Sequence, residues 1–219
     1  MVVPSIGLAY ARVPKVANSM LKRQLARAGG IERLFAETGF SKDRSWREAG
    51  PHAYVVSAEE LSRRWPDAYV FTFVREPLSR LASCYRSKVE RKGRTGAAAE
   101  KELEGMGRGT PFAAFVEHVA RRPDRRANIH YRAQADILAP AGDVTADFVG
   151  RFETLGEDWD RLSQIVTARL GLRLPPLPPR KRPLPIVNPD DYFGGDERLL
   201  ALAKRRYADD YRLFYPDRI

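Results

Sequence analysis

DAYVFTFVREPLSRLASCYRSK, residues 67–88, joins a strand to a helix through a charged turn. Residues 69–74 are almost all β-branched or aromatic, which predicts a buried strand. Pro77 ends the strand, and a helical pattern follows over residues 78–92. Arg75 closes the strand, and Ser83 follows eight residues later, two turns into the helix. An arginine fork and a hydroxyl group can hold a phosphate, but taken alone the stretch favours a salt bridge and a packing serine.

A second strand–loop–helix unit is YARVPKVANSMLKR, residues 10–23. A helix is predicted to begin near Asn18, so the backbone N–H groups of residues 16–20 would lie at a helix N-terminus, where an anion is favoured. Lys15 adds a mobile cation and Ser19 a hydroxyl donor. An ordinary turn with a solvated lysine is the alternative interpretation. The loop is not a Walker A motif, because G-x-x-x-x-G-K-[ST] is absent.

Strands and helices alternate along the rest of the chain. The predicted strands are residues 6–13, 67–77 and 146–153, and the predicted helices are residues 18–29, 57–65, 78–92, 111–122, 157–171 and 196–214. This alternation indicates an α/β domain with a mostly parallel sheet, a single domain over residues 1–219. Ligands of such sheets lie beyond the carboxyl ends of the strands, where Lys15 and Arg75 both fall. The stretch 174–191 is predicted to be an extended basic segment, because its prolines lack N–H donors.

Charge and cysteine content narrow the class of protein. The 219 residues include 38 Lys and Arg against 28 Asp and Glu, a formal net charge of +10. This excess predicts a polyanionic partner: nucleic acid, anionic lipid, a phosphorylated cofactor or an acidic polysaccharide. The single cysteine, Cys84, excludes an intrachain disulfide and a cysteine-based metal site. Without a basic leader or a long apolar run, a reducing cytoplasm is the expected compartment.

Together, these stretches closely resemble the sulfotransferase superfamily. PKVANSMLKR (14–23) is similar to the loop that holds the 5′-phosphosulfate of PAPS (3′-phosphoadenosine 5′-phosphosulfate), and VREPLSRLASCYRSK (74–88) to the element that holds its 3′-phosphate. Residues 128–162 resemble the segment that follows in Golgi carbohydrate sulfotransferases of the chondroitin 4-O and HNK-1 types. The resemblance covers residues 6–170. It implies a P-loop-like three-layer fold, PAPS as donor with PAP as product, and no metal.

The resemblance also implies the residues that bind the donor. Lys15 would contact the bridging oxygen, where charge develops as the sulfuryl group leaves. The loop N–H groups and the Ser19 hydroxyl would hold the 5′-phosphate. Arg75 and Ser83 would hold the 3′-phosphate, which distinguishes PAPS from donors such as ATP. The loop residues assigned to the donor are Val16, Ala17, Asn18, Ser19 and Met20.

A general base must deprotonate the acceptor hydroxyl. Heparan sulfate 2-O-sulfotransferases have a catalytic histidine at a place similar to His52, which is the first choice. His130 matches a histidine of the chondroitin-type enzymes and is expected to line the acceptor site with Gln134. His118 lies in a helical pattern and is interpreted as structural. The carboxylates left open as bases are Glu48, Glu76 and Glu153.

Two differences from the Golgi enzymes bear on the expected cellular compartment. Their cysteines in the segment equivalent to LAPAGDV (138–144) are absent, and so are their anchor and stem. Both differences fit a compact bacterial cytoplasmic enzyme, in which disulfides are unstable. The Golgi lumen is expected only if an anchor was trimmed. The segment 174–191 is expected to fold over the nucleotide, to contact an acidic acceptor or to be a solvated loop.

The sequence therefore predicts a PAPS-dependent sulfotransferase that acts on a hydroxyl group, with a saccharide as the expected acceptor. The alternative is a non-catalytic polyanion- or nucleotide-binding protein on the same fold, against which Lys15 argues because a binder needs no cation at the bridging oxygen. A nucleotide or nucleoside kinase is disfavoured by the missing Walker A motif and the missing carboxylate pair for Mg²⁺. Nucleic acid is not the expected partner, and the oligomeric state is left open.

Overall fold

The computed structural model describes residues 1–90, 103–179 and 188–218. The strands are β1 (Val2–Val3), β2 (Leu8–Tyr10), β3 (Tyr69–Val74) and β4 (Phe148–Arg151), and the helices are α1 (Asn18–Ala28), α2 (Asp43–Arg47), α3 (Ala58–Arg64), α4 (Pro77–Tyr85), α5 (Phe112–Arg121), α6 (Gln134–Leu138), α7 (Leu155–Leu170), α8 (Asp190–Phe193), α9 (Glu197–Arg206) and α10 (Ala208–Phe214). Part of the predicted basic segment, residues 180–187, lies outside the described residues.

The chain divides into two compact units. The first contains the described residues of Met1–Val74 and Gly142–Lys181, and the second contains those of Arg75–Ala141 and Arg182–Ile219. Among the described residues, the four strands belong to the first unit, whereas the regular elements of the second unit are helices joined by turns and loops. The single domain expected from the sequence stays a prediction.

The sheet of the first unit has the strand order β1-β2-β3-β4. β1 is antiparallel to β2, whereas β2, β3 and β4 run parallel, with Tyr10 opposite Phe71 and Phe71 opposite Phe148. Every residue of β3 except Val70 is buried, as in a strand covered on both faces. The predicted α/β class with a mostly parallel sheet is confirmed, and only the short β1 was missed among these strands.

Aromatic side chains fix α7 against the sheet. The Trp159 ring centroid lies 6.2 Å from that of Phe71 and 6.4 Å from that of Phe73. Gly150 of β4 makes room for the cluster, because a Cβ atom there would lie 2.4 Å from a ring carbon of Phe73. A side chain at this position would therefore force the Phe73 ring to move.

At the C-terminal end of the second unit, the structure differs from the sequence prediction. The single helix expected over residues 196–214 is wrong, because Tyr207 separates α9 from α10. The Tyr207 N–H is shared between the carbonyl oxygens three and four residues earlier, both at 3.2 Å. This shared hydrogen bond tightens the last turn of α9 and ends it. The Tyr207 hydroxyl then donates to the Tyr131 carbonyl at 2.7 Å, which fixes the position of the break.

A buried lysine joins α1 to α2 in the first unit. Lys22 has a fully buried side chain, and its Nζ donates to Asp43 Oδ1 at 2.6 Å and to the Ser41 carbonyl at 3.1 Å. Arg12 Nη2 lies 3.0 Å from the second Asp43 oxygen. Burial would raise the pKa of Asp43, but the hydrogen bond from Lys22 and the nearby cations outweigh it and hold that pKa below its ordinary value. The Asp43 carboxylate therefore stabilises the fold above about pH 4, and this contribution is lost as the pH falls lower.

Removing the two partners of this pair should have unequal effects. Asp43→Asn leaves the buried ammonium group of Lys22 without its counter-charge, and we expect a loss of about 3 kcal/mol in the free energy of unfolding at pH 7. Lys22→Met replaces the cation with an apolar chain of similar length and should change stability by less than about 1 kcal/mol. Urea unfolding measures both, with Asp160→Asn on the exposed side of α7 as the control. Equal losses in the two variants would contradict this account.

Candidate functional site

The loop between β2 and α1 has a strained backbone. Lys15 has φ of 75° and Ala17 has φ of 62°, both in the left-handed region that favours glycine. Each such residue costs about 1 kcal/mol or more, and strain of this kind is concentrated at functional sites. Two left-handed residues so close together turn the backbone sharply ahead of Asn18, where α1 begins as predicted.

This loop is fixed to the sheet at its start. Ala11 N–H donates to the Phe71 carbonyl at 2.9 Å, and the Thr72 hydroxyl donates to the Ala11 carbonyl at 2.7 Å. Val13 and Val16 are fully buried, which anchors the loop on both sides of Lys15. The strained turn is therefore held rigidly at the carboxyl end of β2.

The N-terminus of α1 is suited to an anion. Within the described residues, no side chain caps this helix, and its first turn contains no acidic residue. Lys15 is half-buried and Ser19 is exposed. The helix dipole and the backbone N–H groups therefore lie next to a cation and a hydroxyl, a combination that binds phosphate or sulfate groups.

The second unit contains a buried arginine at the start of α4. The Arg75 side chain is almost completely buried, and its Nε and Nη2 both donate to Ser79 Oγ, at 3.0 and 2.8 Å. Sequence reasoning missed Ser79, although its spacing is a usable signal. Ser79 lies four residues after Arg75 and four before Ser83, so the two serines are one turn apart on the same side of α4. Ser83 is half-buried.

The backbone of Arg75 is held by a second buried side chain, that of Gln134. Its Oε1 accepts from the Arg75 N–H at 2.9 Å, and its Nε2 donates to the Arg75 carbonyl at 2.8 Å. Gln134 Nε2 also donates to Asp210 at 3.2 Å. The expectation that Gln134 lines an acceptor site is therefore corrected: its fully buried amide is occupied in positioning Arg75.

Asp210 of α10 connects this arrangement to the C-terminal helix. One carboxylate oxygen accepts from the Ala135 N–H at 2.7 Å. Burial raises the pKa of Asp210, opposed by the charge of Arg80 and by these hydrogen bonds. Arg80 is itself buried and donates to two backbone carbonyls, those of Ile129 and Arg132. Asp210 of α10 therefore supports Gln134 and, through it, the backbone of Arg75, whereas the segment before α6 holds Arg80.

Loss of the Gln134 amide should destabilise the protein. Gln134→Leu keeps the volume but leaves the N–H and C=O groups of Arg75 buried without this partner, at about 1–3 kcal/mol each. We expect the free energy of unfolding to fall by about 2–4 kcal/mol in urea titrations. Gln164→Leu, on the exposed side of α7, is the matched control and should stay within about 0.5 kcal/mol of wild type. Similar stability in the two variants would show that the amide bridge is unimportant.

The candidate carboxylate bases occupy different environments. Glu76 is buried and caps α4, accepting from the N–H groups of Leu78 and Ser79 at 3.2 and 2.6 Å, and the Tyr211 hydroxyl donates to it as well. Its oxygens are therefore occupied by structural hydrogen bonds. Glu48 is exposed, and its Oε1 forms an ion pair with Arg44 Nε at 2.6 Å. Glu153 follows β4 and is half-buried.

The three histidines are placed as follows. His52 is exposed in a turn just before Tyr54, whose backbone pairs antiparallel with Val2 of β1. Because β1 is antiparallel to β2, the chain from His52 to Tyr54 runs in the same direction as β2, and His52 lies towards the start of that strand. The sheet register therefore does not bring His52 to the loop after β2.

The other two histidines lie in the second unit. His118 Nε2 lies 3.1 Å from a Glu104 oxygen. His130 is half-buried, and its backbone N–H donates to Asn128 Oδ1 at 3.0 Å.

Two negative findings apply to the described part of the chain. Its His, Cys, Asp and Glu side chains form no group of three or more that could hold a metal ion. None of its helices has the length and apolar character needed to cross a bilayer.

Comparison with known proteins identifies similar sequences. A model of the sulfotransferase family matches residues 1–216. Human carbohydrate sulfotransferase 9 is 27% identical, in an alignment that covers 92% of this chain and 45% of the human protein. Zebrafish (Danio rerio) carbohydrate sulfotransferase 14 is 28% identical, in an alignment that covers 76% of this chain and 47% of the zebrafish protein. Mouse carbohydrate sulfotransferase 11 is 26% identical, in an alignment that covers 77% of this chain and 53% of the mouse protein. The chain thus spans about half the length of the curated relatives it matches. No solved structure matches it at a significant level.

These relatives correct the expected setting. The predicted bacterial cytoplasmic location is wrong, because the proteins found are vertebrate carbohydrate sulfotransferases and nothing among them points to a bacterial cytoplasmic protein. The prediction partly rested on the missing cysteines of residues 138–144, and a feature of one short segment does not determine the compartment of a protein.

Proposed function

This chain belongs to the sulfotransferase family, and we propose that it transfers a sulfuryl group from PAPS to a hydroxyl group of a saccharide. The observation that carries the proposal is the loop before α1, which has a strained backbone at Lys15 and Ala17 and leads into a helix that no described side chain caps. Family membership supports PAPS as the donor, and the relatives, which are carbohydrate sulfotransferases, support a saccharide as the acceptor.

We propose that the loop binds the 5′-phosphosulfate of PAPS. The backbone N–H groups of Val16 to Met20 would hold the 5′-phosphate together with the Ser19 hydroxyl. Lys15 would contact the bridging oxygen between phosphorus and sulfur. The loop's rigid attachment to the sheet supports this role, because donors that are already in position lose no free energy to reorganisation.

The 3′-phosphate of PAPS is assigned to Arg75 and Ser83. The guanidinium of Arg75 is held by Ser79, so its charge is fixed rather than mobile. Ser79 is therefore added to the proposed site as a positioning residue for Arg75, a role absent from the sequence prediction. No metal is invoked in this proposal.

The proposed reaction is an in-line displacement. The acceptor oxygen forms a bond to sulfur as the bond from sulfur to the bridging oxygen breaks, and that oxygen leaves on the phosphate of PAP. The acceptor hydroxyl proton passes to a general base. Lys15 stabilises the negative charge that develops on the leaving oxygen.

The general base is proposed to be a histidine, with His52 first and His130 second. Family resemblance supports His52, whereas the sheet register places it towards the start of β2. His52→Asn and His130→Asn decide between them: the base variant should lose turnover by about 10²-fold or more and keep its PAP affinity. Undiminished turnover in His52→Asn would remove that residue as the base.

Calorimetry with three ligands tests the function. We expect PAP to bind more tightly than ATP, and a short DNA duplex to bind weakly. Transfer of labelled sulfate from PAPS to a panel of saccharides then tests the reaction. Preference for ATP or DNA would overturn the proposal. PAP binding without transfer to any saccharide would favour the alternative, a non-catalytic binding protein on the same fold.

A further inference from the structure

A cleft of about 630 Å³ lies in the first unit, beside the donor loop. Ser19 of α1 forms part of its wall, together with Arg23 one turn further along the helix. The lining also includes Arg33 from the 3₁₀ turn Glu32–Phe35, and Phe40 and Ser41 further along the chain. The cleft therefore shares one residue, Ser19, with the loop proposed to hold the phosphosulfate.

Buried side chains fix the Phe40–Ser41 part of the cleft wall. The Lys22 ammonium group donates to the Ser41 carbonyl at 3.1 Å, and Trp46 Nε1 donates to the Phe40 carbonyl at 3.1 Å. The Phe35 ring packs between those of Phe40 and Trp46, at centroid distances of 5.1 and 4.7 Å. Because Lys22 and Trp46 are fully buried, this wall is preformed rather than shaped by a ligand.

The exposed charges of the cleft are predominantly positive. Arg23 and Arg33 are both exposed, and the Arg23 guanidinium lies over the Phe40 ring, 5.1 Å from its centroid. This stacking holds one cation at the wall without consuming its hydrogen-bond donors. The acidic residue of the lining, Glu32, lies 3.6 Å from Arg27 and is partly neutralised by it. Two arginines are therefore left to meet a negatively charged ligand.

We infer that this cleft binds the acceptor, and that Arg23 and Arg33 select a saccharide bearing carboxylate or sulfate groups. The inference rests on the proposed function, because the cleft adjoins the donor loop through Ser19. A saccharide presents the hydroxyl to be sulfated, and an acid group on the same or a neighbouring ring pairs with the arginine forks. Phe40 positions Arg23.

The test compares two acceptors on the full chain. The probes are a desulfated chondroitin oligosaccharide, which has carboxylates, and its carboxyl-reduced form, which is neutral. For the double variant Arg23→Gln/Arg33→Gln, we expect the KM for the acidic probe to rise about 10-fold to 100-fold, with little change in kcat or in the KM for PAPS. The neutral probe should have a high KM in both proteins. Arg63→Gln/Arg205→Gln, which removes the same charge from exposed positions on α3 and α9, is the control.

Each outcome separates the cleft from the proposed function. An unchanged KM for the acidic probe, or an equal loss in the control pair, overturns the assignment of the cleft while the sulfotransferase function stands. Loss of PAP binding in the double variant also overturns it, since the cleft would then belong to the donor. Calorimetric binding of the acidic probe that depends on Arg23 and Arg33, without transfer from PAPS to any saccharide, supports the cleft and contradicts the proposed function.

Discussion

Lys15→Ala is expected to lower kcat for sulfate transfer by about 10²-fold to 10³-fold, the usual cost of removing one group that stabilises charge in a transition state. PAP affinity should fall by less than about tenfold, because the N–H groups at the start of α1 still hold the phosphate. Labelled-sulfate transfer and calorimetry measure the two quantities. Lys204→Ala, an exposed lysine of α9, should behave as wild type.

The conformation of Lys15 adds a second, independent expectation. At φ of 75°, any residue with a Cβ atom is strained, whereas glycine is not. Lys15→Gly should therefore be as inactive as Lys15→Ala yet more stable by about 1 kcal/mol in urea unfolding. If both variants kept near-normal kcat, the lysine would have no role at the bridging oxygen. Equal stability of the two variants would contradict the strain.

The elements around the proposed donor site were predictable because their signals are local. The apolar run of β3 ends at Val74, and Pro77 then fixes the start of α4. The start of α1 at Asn18 was predicted correctly as well. In each case, a few neighbouring residues determine the boundary through burial and backbone geometry.

Side-chain networks were not predictable, because their partners are distant in sequence. Gln134 holds the backbone of Arg75 from 59 residues away, and Lys22 reaches Asp43 from 21 residues away. No pattern in either segment indicates such pairs. The same limit explains why the sequence wrongly predicts Gln134 at an acceptor site: nothing in a sequence distinguishes an exposed glutamine from a buried one.

The strained loop had no sequence signal. Turns with positive φ are predicted from glycine or asparagine, whereas here they occur at Lys15 and Ala17. Local propensity and the observed conformation disagree at this point. Such disagreements are expected where function, rather than stability, has selected the residue, and the proposed contact of Lys15 with the bridging oxygen is a function of this kind.

Arg75→Lys is expected to weaken PAP binding by about 10-fold to 100-fold, because an ammonium group cannot contact both Ser79 and a phosphate as the guanidinium fork does. The folding of the variant should be retained, since Gln134 holds the backbone of residue 75 rather than its side chain. Arg212→Lys, an exposed arginine of α10, is the control. Calorimetry at fixed ionic strength measures the affinities.

The choice of ligand makes this prediction specific to the 3′-phosphate. Adenosine 5′-phosphate lacks that group, so its affinity should be nearly the same in wild type and Arg75→Lys. A loss confined to PAP assigns the side chain to the 3′-phosphate, and Ser83→Ala should show a smaller loss with the same selectivity. Equal losses for the two ligands would mean that Arg75 acts by maintaining the fold of α4. Arg75 is almost completely buried, as expected for a residue that maintains the fold of α4. Comparison of PAP with adenosine 5′-phosphate separates this structural role from a role in binding the 3′-phosphate.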